Sequence, residues 1–246
     1  MIFDEQTQRP LYSKNGQTVM PIASITKLMT AMVVLDANLP MDVEVSVEED
    51  DLNSIKRAKS RLRVGMTLTR SEMLRLALMA SENRAALALA RSYPGGTEAL
   101  VAAMNDKARA LGMENTRFFD PTGLDSDNVS TAQDLVKMVS AARDYPLITQ
   151  YTTSASHSVE GLSGRTMRFT NTNPLVRSTS WDIGLSKTGF INEAGKCLVM
   201  QATISHRPVI IVLLDSWGRR TRIGDANRIK RWMERADTLD RVARQG

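Results

Sequence analysis

Cysteine is nearly absent from this chain of 246 residues: Cys197 stands alone, so no internal disulfide can form and no thiolate cluster can hold zinc. It sits in the apolar run 197–200, which suits a buried structural thiol better than a reactive one. Histidine is as scarce. His157 and His206 are the only two, without H-x-x-E or H-x-H spacing, so a metallopeptidase would lack its ligands and no metal or cofactor is expected. With three Trp and four Tyr there is little to stack on bases, which argues against nucleic acid as partner. No apolar run reaches the length of a membrane span. The first residues lack the basic and apolar regions of an export signal, so either the protein stays in the cytoplasm or a signal has been removed. Repeats, low-complexity tracts and Pro/Gly/Ser linkers are missing too, leaving no clean cut into independent domains.

What is present is ordinary globular material: 42% hydrophobic and 24% charged residues, enough for a sizeable core in one domain. The net charge of +5 suits an anionic polymer, but it is dispersed. Arginines gather mildly at 57–63 and 219–244, where they read as solvated helix faces.

Along the chain, residues 1–5 and 11–12 are strand-like, with Ser13-Lys14-Asn15-Gly16 as turn chemistry. Pro21 precedes a helix over 23–37, in which Ile25, Leu28, Met29, Met32 and Leu35 recur at helical spacing. Val43, Val45 and Val47 alternate as in a strand. Thr69 and Glu72 form a capping box for a helix toward Ala80. Further helices are predicted over 82–92, 97–111 and, capped by Ser130-x-x-Gln133, on to Arg143. Three strands follow, 183–191, 196–205 and 208–214. A closing helix over 221–242 would put Ala226, Ile229, Trp232, Met233, Ala236 and Leu239 on one face, against the sheet. The pattern is α+β: a sheet-bearing lobe from about 1–45 and 178–246, with an all-helical lobe, about 46–177, inserted.

Three short motifs carry chemistry. Ser24-Ile25-Thr26-Lys27 is S-x-x-K at a helix start, where spacing i, i+3 lets the amine reach the hydroxyl. Serine needs a neighbouring base to become a nucleophile, and a buried lysine can serve once its pKa falls. Taken alone, a capping serine before a surface lysine also explains the tetrapeptide. Lys187-Thr188-Gly189 lies in a predicted strand, where an ammonium and a hydroxyl can hold a carboxylate while Gly189 lets substrate lie close; alone, it could be a half-exposed surface strand. S-x-N occurs three times, at Ser13/Asn15, Ser81/Asn83 and Ser126/Asn128. Ser81 breaks two apolar helices and so can point into a cleft. Ser126 sits in a turn whose polar groups satisfy local backbone, which makes Ser126 and Asn128 dispensable on this reading.

In the order S-x-x-K, S-x-N, K-T-G, these motifs are the signature shared by β-lactamases and penicillin-binding proteins. The segments 21–31, 64–69, 120–124 and 170–175 extend the resemblance to low-molecular-mass serine D-alanyl-D-alanine peptidases, over nearly the whole chain. The resemblance implies a β-lactamase/transpeptidase-like fold, an antiparallel sheet flanked by helices plus a helical lobe, with the site between. It implies Ser24 as acylated nucleophile, Lys27 as its base, Ser81 and Asn83 as proton relay and positioning groups, and Lys187 and Thr188 as carboxylate holders. The backbone N–H groups of Ser24 and Phe190 would form the oxyanion hole. Peptidoglycan stem peptides become the expected partners, β-lactams the expected covalent inhibitors, and the periplasm the expected location.

Strands and one helix account for the residues beyond Gly189, whereas carboxypeptidases of the family usually add a β domain and an amphipathic anchor. The short form resembles the endopeptidase branch, which cuts D-alanyl–diaminopimelate crosslinks. Carboxypeptidase activity is the alternative; a β-lactamase or an inactive murein-binding protein is less favoured. A deacylating glutamate of the β-lactamase kind would follow S-x-N, whereas Glu49 to Asn53, an E-x-x-L-N, precedes it, so penicillin should leave slowly. Finally, Lys27 and Lys187 are expected to converge, with burial and like charge both lowering the pKa of Lys27.

Overall fold

The computed structural model describes residues 1–53, 60–218 and 220–243, the side chains of 52, 53 and 239–243 excepted. Part of the basic run 57–63, Arg219, Arg244 and the side chain of Leu239 therefore lie outside the described residues.

Strands β1 (Ile2–Asp4) and β2 (Arg9–Tyr12) open the chain, and β3 (Met20–Pro21) leads through a 3₁₀ turn, Ala23–Thr26, into helix α1 (Lys27–Asp36). Strands β4 (Glu44–Ser46) and β5 (Thr67–Thr69) pair across the short helix α2 (Asp50–Asn53). Helices α3 (Arg70–Met79), α4 (Asn83–Arg91) and α5 (Gly96–Ala110) follow, then β6 (Val129–Ser130), α6 (Ala132–Ala142) and α7 (Pro146–Thr153). A ribbon of β7 (Ser156–Glu160) and β8 (Thr166–Thr170) precedes β9 (Asp182–Ile191), β10 (Gly195–Ile204), β11 (Arg207–Ser216) and the last helix, α8 (Thr221–Ala243).

Both ends of the chain build one antiparallel sheet in the order β2-β1-β11-β10-β9. Alternation sends Cys197, Val199, Ile210 and Val212 into the core shared with α1 and α6, and Leu198, Met200, Val209 and Ile211 into a second core with Ala226 and Met233 of α8. Covered on both faces, these strands read as nearly continuous apolar runs. Helix α1 is buried from Lys27 through Val34, all round rather than on one stripe, as befits a central helix.

Several local expectations change. The first hairpin turns at residues 5–8, because the Asp4 carboxylate accepts the backbone N–H groups of Gln6 (2.8 Å) and Thr7 (3.2 Å); Ser13 and Asn15 are simply exposed. The cap of α6 is Thr131, whose hydroxyl accepts from Asp134 N, while Ser130 bonds Thr116. The middle of the chain is not purely helical: β7 and β8 bury little beyond Val159 and Phe169, too weak a pattern to read as strands. In α8 the sheet is met by Ala226 and Met233 with Ile223 and Ile229 beside them, whereas Trp232 is 48% exposed and Ala236 is exposed. Cys197 is buried, its pKa pushed up to about 11 by that burial.

At α3 the capping box forms as read: Thr69 Oγ1 accepts from Glu72 N, and the Glu72 carboxylate accepts from Thr69 N. Thr69→Ala should cost about 1 kcal/mol of stability, the usual worth of an N-cap, measured by urea unfolding.

Candidate active site

Chain folding brings together Ser24, Lys27, Ser81, Asn83, Lys187 and Thr188. The first pair is aligned by helix type. Residues 23–26 form a 3₁₀ turn, not the α-helix the spacing predicts, and a 3₁₀ turn eclipses side chains three apart. Lys27 Nζ thus lies 2.9 Å from Ser24 Oγ. Its other contacts are Asn83 Oδ1 and the Thr122 carbonyl, each at 2.7 Å. Both are acceptors only. A neutral Lys27 amine therefore spends its two N–H bonds on them, and its lone pair is left facing the serine hydroxyl.

Lys27 is 1% exposed. Burial lowers its pKa to about 7, against a smaller upward pull from the carboxylates of Asp120 and Glu82. Lys187, equally buried, donates to Ser81 Oγ at 2.8 Å and to the Thr188 carbonyl at 3.0 Å. Its pKa is held well below the ordinary lysine value by burial, then by the charges of Lys27 and Arg222. Burial is the cause that lowers the Lys27 pKa, whereas the like-charge effect expected on Lys27 falls on Lys187.

Backbone in the left-handed region sits beside both serines: Ala23 has φ 48° and Ser81 itself φ 59°. Helix α3 ends at Ser81 in a conformation usually given to glycine, at a cost of about 1 kcal/mol, and a glycine there would carry no hydroxyl to meet Lys187. Gly189 has no such freedom to use; its role is proximity. A Cβ there would lie 2.9 Å from the Ile22 carbonyl and 3.2 Å from Ser24 N, so β9 runs directly along the turn that carries Ser24. Phe190 follows, 54% exposed.

Some contributors were invisible as motifs. The turn Asp120-Pro121-Thr122-Gly123 aims the Thr122 carbonyl at Lys27, and the Asp120 carboxylate gathers the N–H groups of Thr122, Gly123 and Asp125. Thr30 Oγ1 donates to the Pro121 carbonyl at 2.7 Å, tying this turn to α1. Gly123 (φ 79°) is obligatory, since a Cβ would fall 1.9 Å from the Ala23 carbonyl. Asn128, read from sequence as dispensable, is fully buried: its Oδ1 accepts from Phe119 N (2.6 Å) and Asp120 N (3.1 Å), and its Nδ2 donates to Thr26 Oγ1 (3.1 Å). It clamps the turn to the segment that carries Ser24 and Thr26, whereas Ser126 is only half-buried. Glu82, the middle residue of S-x-N, is buried and accepts from Ser60 Oγ and Arg61 N. Arg222 of α8 donates to the carbonyls of Gly189 (2.8 Å) and Cys197 (3.1 Å), adding positive charge behind β9. Glu49 is exposed and joins none of this. A wide concavity lined in part by Phe3, Gly16, Val136 and Ala141 lies elsewhere and gathers none of these groups. Among the described residues no cluster of metal-binding side chains occurs.

A buried lysine amine against a serine hydroxyl, beside the edge strand of an antiparallel sheet in this fold, defines a serine hydrolase of the β-lactamase/transpeptidase class. Residues 1–218 match the family described as D-alanyl-D-alanine carboxypeptidase, and the chain belongs to this family of serine peptidases. A D-alanyl-D-alanine endopeptidase of Pseudomonas aeruginosa is 51% identical over 235 residues, covering 95% of this chain and 76% of its own. One from Escherichia coli is 49% identical with the same coverage. Among solved structures, the Streptomyces K15 DD-transpeptidase superposes with a TM-score of 0.86 at 31% identity, over 94% of each chain.

The geometry leads to two expected outcomes. Asn128→Ala should destabilise the fold by about 2–3 kcal/mol, because buried N–H groups lose their acceptor, while Ser126→Ala stays within about 0.5 kcal/mol, both read by urea unfolding. The Lys27 amine, followed by NMR of isotopically labelled lysine, should titrate near 7. A midpoint at the ordinary lysine value would show that burial does not depress it.

Proposed function

We propose that this protein is a serine D-alanyl-D-alanine endopeptidase that opens D-alanyl–diaminopimelate crosslinks of peptidoglycan through an acyl-enzyme on Ser24. One observation carries the reading: Lys27, with its pKa near 7, has its lone pair turned on Ser24 by two acceptors that offer no proton. The relatives of half-identical sequence carry the endopeptidase name. Carboxypeptidase action on the same D-alanyl carbonyl is the second reading, favoured by the family's description and by a Streptomyces carboxypeptidase at 34% identity.

In this reading neutral Lys27 takes the Ser24 proton as Oγ attacks the carbonyl carbon of D-alanine. The oxyanion is met by the backbone N–H groups of Ser24 and Phe190, beside the close approach at Gly189. Collapse breaks the C–N bond, and the departing amine receives the proton from Lys27 by way of the Ser81 hydroxyl. Asn83 holds Lys27 in place. Water then attacks the ester, Lys27 accepts its proton, and Ser24 is regenerated as the stem peptide leaves. Lys187 and Thr188 receive the carboxylate of the leaving residue, in the positive field of Arg222, and the negative charge of that carboxylate favours the ammonium form of Lys187. Extended substrate would pair along β9, which stands at the edge of the sheet. Such a substrate belongs to the periplasm, where β-lactams would act as covalent inhibitors. No helix among the described residues is long and apolar enough to cross a membrane.

Incubated with labelled penicillin, the protein should gain one adduct by intact mass, long-lived and absent in Ser24→Ala. Mass spectrometry of products from purified crosslinked muropeptides should show crosslinks opened with terminal D-alanine retained on pentapeptide stems. Release of terminal D-alanine alone would replace the endopeptidase reading with the carboxypeptidase one.

A further inference from the structure

The segment 170–175 takes no part in the chemistry above, yet it is tied down more thoroughly than a connecting loop requires. Asn171 is 6% exposed and Asn173 1% exposed, while Thr172 between them is exposed. Asn171 Nδ2 donates to the carbonyls of Thr152 (2.8 Å) and Ser154 (2.9 Å), and its Oδ1 accepts from Asn173 N (2.9 Å). Asn173 Nδ2 donates to Ser186 Oγ on β9 (2.8 Å), and its Oδ1 accepts from Leu175 N (3.1 Å). Thr172 N donates to the Met79 carbonyl (3.1 Å), two residues before Ser81. The strap thus joins the end of α7, the end of α3 and strand β9, and the outward side chain of Thr172 meets Thr188: the two hydroxyl oxygens are 2.6 Å apart.

We propose that Thr172 is a specificity-determining positioning residue, whose hydroxyl, coupled to that of Thr188, completes the pocket for the substrate's carboxylate. This rests on the assignment of Lys187 and Thr188 to that carboxylate. The Thr188 hydroxyl donates to Thr172 Oγ1. To bind an anion Thr188 must turn its proton outward, and its oxygen then needs a donor. Thr172 supplies one by reversing its own hydroxyl, with no heavy atom moving. Two hydroxyls that exchange roles in this way favour an anionic acceptor over a neutral one of the same shape, because hydrogen bonds to ionised groups are the stronger. Substrates that keep a free carboxylate beside the scissile bond are selected, and those in which it is amidated or esterified are not.

The test compares acylation by benzylpenicillin and by its methyl ester, which differ only in that charge. Thr172→Val keeps the shape and the strap but removes the hydroxyl; Thr172→Ser restores the hydroxyl. In Thr172→Val the second-order rate with benzylpenicillin should fall roughly ten-fold, the scale of one hydrogen bond to a charged group. The fall with the ester should be much smaller, and Thr172→Ser should recover most of the loss. An equal fall with both compounds, or none with either, would overturn the assignment and leave the strap purely structural. Failure of wild type to be acylated on Ser24 by either compound would instead bring down the functional reading beneath it.

Discussion

Burial of one amine governs the rest of this molecule. An ammonium surrounded by water would hold its proton far above neutral pH and could not act as a base. Lys27 escapes that because α1 is packed on every side, which places its first side chain under the core rather than at the surface. The same burial demands that its N–H groups find partners, since an unpaired polar group there is costly. Asn83 and Thr122 meet the demand from two different parts of the chain. Because neither can donate, satisfying the amine and aiming it are a single event.

Other features serve to bring those partners in. The 120–123 turn reaches the lysine only because Gly123 lies against the Ala23 carbonyl, where any side chain would collide. Asn128 then fixes the turn from behind, and Thr30 ties it to α1. On the other side α3 must stop at Ser81 and α4 must start at Asn83, which is why the break is tight enough to put a serine in left-handed backbone. Packing on both faces of the sheet seats β9 beside the turn that carries Ser24. The local cost of two left-handed residues is offset by this surrounding order.

Electrostatics in the cleft follow from burial. Two buried lysines cannot both stay charged cheaply: burial lowers the pKa of each, and the charges of Lys27 and Arg222 add to the effect on Lys187. Asp120 and Glu82 temper the effect of burial on Lys27, keeping its pKa near neutrality rather than far below.

The residues that meet in the cleft were legible in sequence because three short motifs in fixed order name them, and each motif is local. Strands β9 to β11 were legible from apolar runs, and the start of α3 from Thr69 and Glu72, since one pair of reciprocal hydrogen bonds decides it. Asn128 was misjudged, and Thr122, Thr172 and Arg222 went unassigned, because their value lies in contacts made across the fold: a backbone carbonyl has no sequence signature, and an asparagine in a turn looks alike whether it faces water or the core. Trp232 failed for the same reason, as helical periodicity names a face but not what covers its rim. By itself the sequence named the side chains that meet in the cleft. Only tertiary structure decided how strongly burial acts on each lysine and which acceptors aim the Lys27 amine, because these depend on desolvation and on partners distant along the chain.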